Sequence, residues 1–203
     1  MKALEVASGS WLYPGLIAGQ EQSGILLRLR AVIAEAPLFA PTMPRTGKPF
    51  SVRMTNCGPL GWVSDRDGYR YQDRHPETRD PWPPIPEEIL RLWRELLPEA
   101  PAPEACLVNH YAASAKMGLH QDKDENPVDV PVLSISLGDS ALFRIGGVAR
   151  NATTRSFRLN SGDVLTLGGA SRLAFHGVDR ILAGTSTLLP EGGRINLTLR
   201  RVT

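Results

Sequence analysis

The sequence predicts a mainly β protein with helices, in which a helical and loop-rich N-terminal half lies against a C-terminal β-sandwich or barrel. After Glu104, short apolar runs follow one another with turn residues between them, a spacing typical of all-β architectures. Before Glu104, two stretches have helical spacing, and much of the remainder is rich in proline and glycine. The runs that we predict as strands are residues 105–111, 132–137, 141–145, 156–159, 164–167, 173–176 and 194–200.

Two amphipathic helices are predicted in the N-terminal half. Residues 20–35 place apolar side chains at helical spacing and stop before Pro37. A second helix begins at Pro86, because the fixed φ of proline suits the first turn of a helix, and its apolar side follows at residues 89–97. We expect these helices to cover one side of the β structure.

The segments around the second helix predict turns and loops. Residues 65–68 suit a turn between two short strands, whereas residues 54–61 contain two glycines and a proline and are expected to be turn-rich rather than regular. Residues 76–86 are dense in proline and should wrap the surface, which leaves His75 in a polar, solvated loop.

Length, charge and cysteine content limit the classes of function. The chain has 203 residues, a formal net charge of +2 and two cysteines, which suits one domain with an extension. At this charge, any nucleic-acid contact must come from local basic patches. No apolar stretch approaches the roughly 18 residues of a membrane span. The cysteines fit neither a zinc spacing nor a disulfide framework, which suits a reducing compartment. From this and from the lack of a membrane span, we expect a cytoplasmic protein with no membrane partner.

A candidate metal site is found around His120 and Asp122, which form a His-x-Asp pair followed by Asp124. In an extended segment alternate side chains share a face, so these three would point the same way. Taken alone, the pair is explained equally well by a polar strand end or turn. His176 ends an apolar run and completes two histidines and one carboxylate. That set suits iron(II) with open positions for further ligands, or a catalytic zinc.

A binding site for a co-substrate distinguishes the two metals. Residues 194–200 alternate strictly between polar and apolar side chains, so a strand here has one polar face. An amphipathic strand with its arginines in water is the ordinary alternative. Arginine, however, suits bidentate carboxylate binding, and hydrogen-bonding side chains lie between the two arginines. We therefore predict a clamp for a dicarboxylate such as 2-oxoglutarate, formed by Arg194, Asn196, Thr198 and Arg200 with Asn109 and Tyr111.

In combination, these motifs resemble the AlkB family of iron(II)- and 2-oxoglutarate-dependent dealkylating dioxygenases. The resemblance runs in order from about Met54 to the C-terminus. It rests on Asn109-His110-Tyr111, HQDKDE at 120–125, SISLG at 134–138, Gly168-Gly169 before Ser171-Arg172, His176-Gly177 and Arg194-x-Asn196-Leu197-Thr198-x-Arg200. Upstream, MTNCG at 54–58, LGW at 60–62 and Gly68-Tyr69-x-Tyr71 resemble the nucleotide-recognition lid of the bacterial, nucleic-acid-repairing branch.

The resemblance implies roles for the residues that match. The catalytic iron ligands would be His120, Asp122 and His176. Contacts to 2-oxoglutarate would come from Asn109, Tyr111, Arg194, Asn196 and Arg200, with Arg194 at the distal carboxylate. Trp62 and His176 would sandwich the damaged base, and the other substrate contacts would be Tyr69, Arg70, Tyr71, Asp124 and Arg150. From spacing alone, the aromatic residues among them would be assigned to core packing.

The resemblance also implies a fold and an activity. The family fold is a double-stranded β-helix, or jelly roll, so residues 104–203 would be the core and residues 1–103 an extension with the lid, in one compact unit. The activity would be oxidative demethylation of 1-methyladenine and 3-methylcytosine in DNA. Single-stranded DNA would be the main substrate, with double-stranded DNA or RNA as further partners. A monomer would use iron(II), 2-oxoglutarate and O2, giving succinate, CO2 and formaldehyde. The alternatives are a related hydroxylase for a protein or small molecule, and a binding module without turnover.

Overall fold

Thirteen β-strands and two α-helices make up the part of the chain that the computed structural model describes, residues 2–203. The helices are α1 (Gly19–Glu35) and α2 (Glu87–Leu96). The strands are β1 (Leu4–Ala7), β2 (Ser10–Tyr13), β3 (Val52–Cys57), β4 (Gly61–Asp65), β5 (Gly68–Gln72), β6 (Ala105–Tyr111), β7 (Met117–His120), β8 (Val132–Gly138), β9 (Ser140–Ile145), β10 (Arg155–Leu159), β11 (Val164–Leu167), β12 (His176–Leu182) and β13 (Arg194–Arg200).

Two antiparallel sheets form the body of the protein. The larger has the strand order β1-β2-β11-β8-β13-β6-β3, and the smaller has the order β10-β9-β12-β7. Apolar side chains from both sheets join in one buried cluster, so the sheets lie face to face. The strands β4 and β5 form a separate hairpin. This arrangement confirms the predicted jelly roll and the predicted mainly β class.

Helices α1 and α2 cover the opposite face of the large sheet. Their buried side chains join a second apolar cluster that includes Ile195, Leu197 and Leu199 of β13. These are the apolar positions of the alternating strand, so its polar positions face the small sheet instead. The predicted helices and the predicted two-faced strand are therefore both confirmed, and β13 carries its two arginines into the interior.

Two predictions about local structure were wrong. The apolar run 173–176 is not a strand: Ala174 donates its N–H to the carbonyl of Ser171 in a turn, and β12 begins only at His176. Residues 54–57, predicted as turn-rich, belong to β3, whose partner is the well-formed strand β6. At residues 54–57, pairing with a distant strand outweighed the local preference for turns, as is common for β structure, whereas at residues 173–175 a local turn replaced the expected strand.

His75 is more buried than predicted. The His75 side chain is fully buried, with Nε2 2.8 Å from the carbonyl oxygen of Pro37. Its Nδ1 accepts hydrogen bonds from the N–H groups of Glu77 and Thr78, and its ring packs against Phe39. The expectation of a solvated imidazole was wrong. A polar loop can bury a histidine when backbone groups of the surrounding segments form hydrogen bonds with both nitrogens of the imidazole.

The helices are too short or too polar to cross a lipid bilayer, and this holds for every helix in residues 2–203.

Strands from the N-terminal half also join the core sheet directly. β2 pairs with β11, and β3 pairs with β6. The N-terminal half is therefore tied to the β core by backbone hydrogen bonds as well as by side-chain packing.

Candidate active site

A cavity of about 680 Å³ opens between the two sheets. Buried polar side chains of β6 and β13 line its inner part, and the ends of β7 and β12 meet beside it. Exposed side chains from the β4–β5 hairpin and from the loop between α1 and β3 form its rim. The strand register therefore brings residues from both halves of the chain to one concave site.

Pairing of β7 with β12 brings His120 and His176 together. The two residues are direct partners across these strands, and their ring centroids are 4.5 Å apart. Gly177 permits this approach, because a Cβ at that position would lie 2.6 Å from the carbonyl oxygen of Met117. One ligand atom from each of His120, Asp122 and His176 lies within 4.8 Å of the others. The predicted triad is thus assembled in space.

Backbone carbonyls orient both imidazoles toward the carboxylate. Nδ1 of His120 is 2.9 Å from the carbonyl oxygen of Gly118, and Nδ1 of His176 is 2.9 Å from that of Ala174. A proton on each Nδ1 leaves the Nε2 atoms free as ligands. Nε2 of His120 is 3.6 Å from one oxygen of Asp122, and Nε2 of His176 is 3.7 Å from the other.

The charge states of the buried ligands suit a divalent metal. Burial lowers the pKa of His176 to about 4, so its imidazole is neutral near pH 7. Burial alone would raise the pKa of Asp122, but the nearby guanidinium of Arg200 and the two imidazoles hold it well below its usual range. Neutral histidine and ionised aspartate are the forms that bind metal. Two nitrogens and one oxygen beside an open cavity fit iron(II) as an oxygenase uses it.

Asp124 does not share the face of the triad. β7 ends at His120, so Asp122 and Asp124 lie beyond the paired strand, and Asp124 is exposed whereas Asp122 is buried. Oδ2 of Asp124 accepts a hydrogen bond of 2.9 Å from the indole N–H of Trp62. The expectation that three acidic and imidazole side chains point one way was wrong for Asp124, which lies at the rim of the cavity.

Arg194 presents a buried cation without a carboxylate partner among residues 2–203. Its side chain is 1% exposed, and its strongest hydrogen bond, of 2.6 Å, is to the hydroxyl of Ser136. Its Nε has no hydrogen-bond partner in this part of the chain, and burial lowers its pKa to about 10. An uncompensated guanidinium in a cavity wall is a site for an anionic ligand. This is the observation that best fits 2-oxoglutarate.

The other predicted co-substrate residues lie around the same space. In the register of β13 with β6, Asn196 is opposite Asn109 and Arg194 is opposite Tyr111. All four line the cavity, and burial raises the pKa of Tyr111 to about 12, so its hydroxyl stays protonated. The amide nitrogen of Asn196 already donates to Ser134 and to the carbonyl of Ile135. Arg200 also lines the cavity, 2.8 Å from Asp122.

Aromatic side chains form one side of the rim. The rings of Trp62 and Tyr69 are stacked with centroids 5.7 Å apart, and Phe50 packs against Trp62 at 6.4 Å. Tyr69 is half exposed, so this surface is open to a ligand. Arg150 lies on another part of the rim, with its guanidinium carbon 5.6 Å from the ring centre of Phe175.

Arg70 and Tyr71 lie outside the cavity lining. Arg70 donates two hydrogen bonds of 2.8 Å to the carboxylate of Asp65, within its own hairpin. The hydroxyl of Tyr71 points inward, where it donates to Glu125 and accepts from Arg200. Of the seven residues expected at the substrate, with His176 included, the structure therefore brings five to the cavity: Trp62, Tyr69, Asp124, Arg150 and His176.

Sequence reasoning gave no role to several side chains at the site. Glu125 and Arg172 form a buried ion pair of 3.2 Å behind Asp122, and both stood within motifs that carried the resemblance. Three lysines also line the cavity, and Lys116 and Lys123 flank the triad segment in the sequence, which is a signal for them. The third, Lys48, lies in the loop between α1 and β3, where the sequence offers no comparable signal.

Comparison with known proteins identifies the superfamily of this chain. The family model of the 2OG-Fe(II) oxygenase superfamily matches residues 9–200. Such an enzyme is a dioxygenase that uses iron(II), 2-oxoglutarate and O2. The solved structure of OsALKBH1 superposes with a TM-score of 0.86 at 32% identity, covering 98% of this chain and 100% of that one. The fold, the triad and the buried arginines agree with this class.

The relatives narrow the class to one family. An alpha-ketoglutarate-dependent dioxygenase AlkB homolog of Caulobacter vibrioides is 57% identical over 98% of this chain and 90% of its own length. The alpha-ketoglutarate-dependent dioxygenase AlkB of Escherichia coli is 41% identical over 84% of this chain and 80% of its own length. The chain belongs to the AlkB family, in its bacterial branch.

Proposed function

We propose that the protein removes methyl groups oxidatively from 1-methyladenine and 3-methylcytosine in nucleic acid, with single-stranded DNA as its main substrate and double-stranded DNA or RNA as further ones. The observation that carries this proposal is the rim of the cavity. Stacked aromatic rings line the same cavity as the triad, and so do four exposed cations, Lys48, Lys116, Lys123 and Arg150. Proteins that bind single-stranded nucleic acid commonly combine aromatic side chains, on which bases stack, with cations that bind the phosphates.

Iron bound by His120, Asp122 and His176 supplies, with 2-oxoglutarate and O2, the oxidising power for the reaction. The chain's own residues hold the reactants around it. The guanidinium of Arg194 binds the distal carboxylate of 2-oxoglutarate, and Asn109, Tyr111, Asn196 and Arg200 enclose the rest of the molecule. Hydroxylation of the N-methyl group gives a hemiaminal, which breaks down to formaldehyde and the repaired base, while 2-oxoglutarate becomes succinate and CO2.

The rim residues bind the damaged base in this proposal. The base leaves its stack at a cost of a few kcal/mol, which is smallest for a lesion that cannot pair. It then lies between Trp62 and His176, and the methylated ring is cationic, which favours the aromatic face. Asp124 keeps one oxygen free of Trp62 to accept a hydrogen bond from the exocyclic amino group. Tyr69 and Arg150 contact the neighbouring nucleotides, and Arg70 and Tyr71 were expected there as well.

The organisation and setting of the enzyme belong to the same proposal. Residues 1–103 form the extension and recognition lid, and residues 104–203 form the catalytic core, in one compact unit acting as a monomer. Pairing of β2 and β3 with strands of the core supports a single unit. Two free, buried thiols, Cys57 and Cys106, are compatible with the reducing cytoplasm that we expect for this protein.

A repair assay tests the proposed function. Incubation with Fe(II), ascorbate, 2-oxoglutarate and a single-stranded oligonucleotide containing 3-methylcytosine is expected to give unmodified cytosine and one formaldehyde per lesion. Succinate without repair would favour the alternative, a hydroxylase for a protein or small molecule. Absence of both products, with a His120→Ala variant indistinguishable from the parent, would leave only the binding module.

Replacing Trp62 by alanine is expected to weaken binding of the methylated oligonucleotide about tenfold to a hundredfold, because a base–aromatic stack contributes roughly 1–3 kcal/mol. The affinity for 2-oxoglutarate should not change, since Arg194 lies in the inner part of the cavity. Fluorescence anisotropy and calorimetry measure the two affinities. Trp11→Ala, at a half-exposed tryptophan of β2 outside the cavity, is the control. Equal loss in both variants would contradict the assignment of Trp62.

The double variant Lys116→Ala/Lys123→Ala is expected to bind oligonucleotide with a weaker salt dependence. Each phosphate contact on a single strand contributes about 0.7 to the slope of log affinity against log salt, so the slope should fall by about 1.4. Binding is measured across a salt series on an unmodified single strand. Arg30→Ala, on the exposed side of α1, should keep the parent slope. A double variant with an unchanged slope would remove these lysines from the phosphate path.

A further inference from the structure

The hydroxyl of Tyr71 lies in a buried network behind the metal ligands. Tyr71 belongs to the recognition hairpin, and its neighbour Tyr69 faces the cavity, yet Tyr71 does not. Its oxygen donates a hydrogen bond of 2.5 Å to Glu125 and accepts one of 2.9 Å from Arg200. Burial raises the pKa of Tyr71, so the hydroxyl remains a neutral donor. A side chain whose polar atom is already satisfied inside the protein has little left for a phosphate.

Glu125 is the centre of this network. Its side chain is fully buried and does not line the cavity. It pairs with Arg172 at 3.2 Å and with Arg200 at 3.0 Å, in addition to the bond from Tyr71. Two guanidiniums and one hydroxyl thus neutralise and fix one carboxylate. A buried carboxylate satisfied from three sides holds its partners in one geometry.

Both arginines of the network also hold Asp122. Nη2 of Arg200 is 2.8 Å from Oδ1 of Asp122, and Nη1 of Arg172 donates to the main-chain carbonyl of Asp122 at 2.7 Å. Nε of Arg172 is bonded to the carbonyl of Val130, which fixes that side chain further. The side chain and the backbone of one metal ligand are therefore oriented by groups that Glu125 holds in place.

Arg200 is shared between two carboxylates. One of its nitrogens is committed to Asp122 and another to Glu125 and Tyr71, while its Nε has no partner in residues 2–203. Loss of the Glu125 charge would leave Arg200 to pair with Asp122 alone and would draw that carboxylate away from the metal. Loss of the Tyr71 hydroxyl would remove one of the three groups that hold the guanidinium of Arg200 and the one hydroxyl that holds Glu125, so the open Nε–H would be placed less firmly.

From these contacts we infer that Tyr71 and Glu125 are positioning residues that join the recognition hairpin to the metal and 2-oxoglutarate site through Arg200. Tyr71 acts through its hydroxyl on Arg200, and Glu125 acts through Arg200 and Arg172 on Asp122. Neither side chain lines the cavity. This inference depends on the dioxygenase site but not on which molecule is demethylated, so it can fail or hold independently of the proposed function.

Binding measurements without nucleic acid separate this role from a substrate contact. In the protein loaded with Mn(II), Tyr71→Phe is expected to raise the Kd for 2-oxoglutarate by about threefold to tenfold. This is less than the roughly tenfold to hundredfold contributed by a direct hydrogen bond to a charged group, because the hydroxyl acts on the ligand only through Arg200. Phenylalanine keeps the ring that packs near Leu60 and Trp62. Tyr13→Phe, the same change on β2, should leave this Kd unchanged. An unchanged Kd in Tyr71→Phe together with weaker oligonucleotide binding would overturn the inference.

Measurements of metal affinity test the proposed role of Glu125 in positioning Asp122. Glu125→Gln keeps the shape of the side chain and removes its charge, so the affinity for Mn(II), measured by electron paramagnetic resonance, is expected to fall about tenfold or more. Tyr71→Phe should change that affinity less than Glu125→Gln. The double variant Tyr71→Phe/Glu125→Gln should lose less Mn(II) binding free energy than the two single variants lose together, because both residues act on Arg200. Glu125→Gln with the Mn(II) affinity of the parent would contradict the shared network. So would a double variant that unfolds at the same temperature as the parent but whose loss of Mn(II) binding free energy equals the sum of the two single losses.

Discussion

Replacing His120 by alanine is expected to abolish tight metal binding and to lower kcat for repair by at least about a thousandfold, equivalent to about 4 kcal/mol of transition-state stabilisation. The reason is geometric. His120 supplies one of three ligand atoms that lie within 4.8 Å of one another, and two remaining ligands do not hold iron(II) in a defined orientation. The side chain of His120 is 40% exposed, so the substitution leaves little cavity and should cost little stability.

His110→Ala is the matched control for this prediction. His110 is a half-buried histidine on β6 whose pKa burial lowers, and it lies outside the cavity lining. Metal titration, thermal unfolding and formaldehyde release are measured for both variants. We expect His110→Ala to retain metal binding and repair. Comparable loss in the two variants, or a His120→Ala enzyme with parent kcat, would contradict the assignment of the triad.

Replacing Arg194 by glutamine is expected to raise the KM for 2-oxoglutarate at least about thirtyfold, because loss of one member of a buried charge pair costs roughly 2–5 kcal/mol of binding. The kcat at saturating 2-oxoglutarate should fall much less, since Arg194 is not among the triad. Arg194→Lys should also bind poorly, because an ammonium cannot reproduce the planar fork that spans Ser136 and a carboxylate. Initial rates against 2-oxoglutarate concentration measure both constants.

The same substitution has an opposite expected effect on the ligand-free protein. Arg194 is buried without an ion pair in the described part of the chain, and its Nε is unsatisfied there. Removing such a charge relieves a desolvation penalty, so ligand-free Arg194→Gln should unfold at a temperature at least as high as the parent. Arg158→Gln, at an exposed arginine of β10, should leave both KM and unfolding unchanged. Clear destabilisation with an unchanged KM would show that Arg194 is structural.

The sequence determined the elements with strong local patterns. Both helices and the two faces of β13 followed from periodicity, because burial of one face imposes a repeat on neighbouring residues. The β4–β5 hairpin followed from the turn residues at 65–68. The chemistry of the triad and of the arginine strand followed from residue type, since few side chains bind a divalent metal or a carboxylate. Each histidine of the triad was weak evidence alone, and the set was informative only in combination with β13.

The tertiary structure decided which side chains meet. Whether Asp124 joined the triad depended on where β7 ends, and whether Tyr71 faced substrate or Arg200 depended on how the hairpin sits on the core. His75 looked solvated because its neighbours are polar, but it is buried by segments distant in sequence. Alternation specifies a face, whereas the partner opposite that face comes from strand pairing and loop packing between residues far apart in the chain. These long-range contacts leave no local pattern in the sequence.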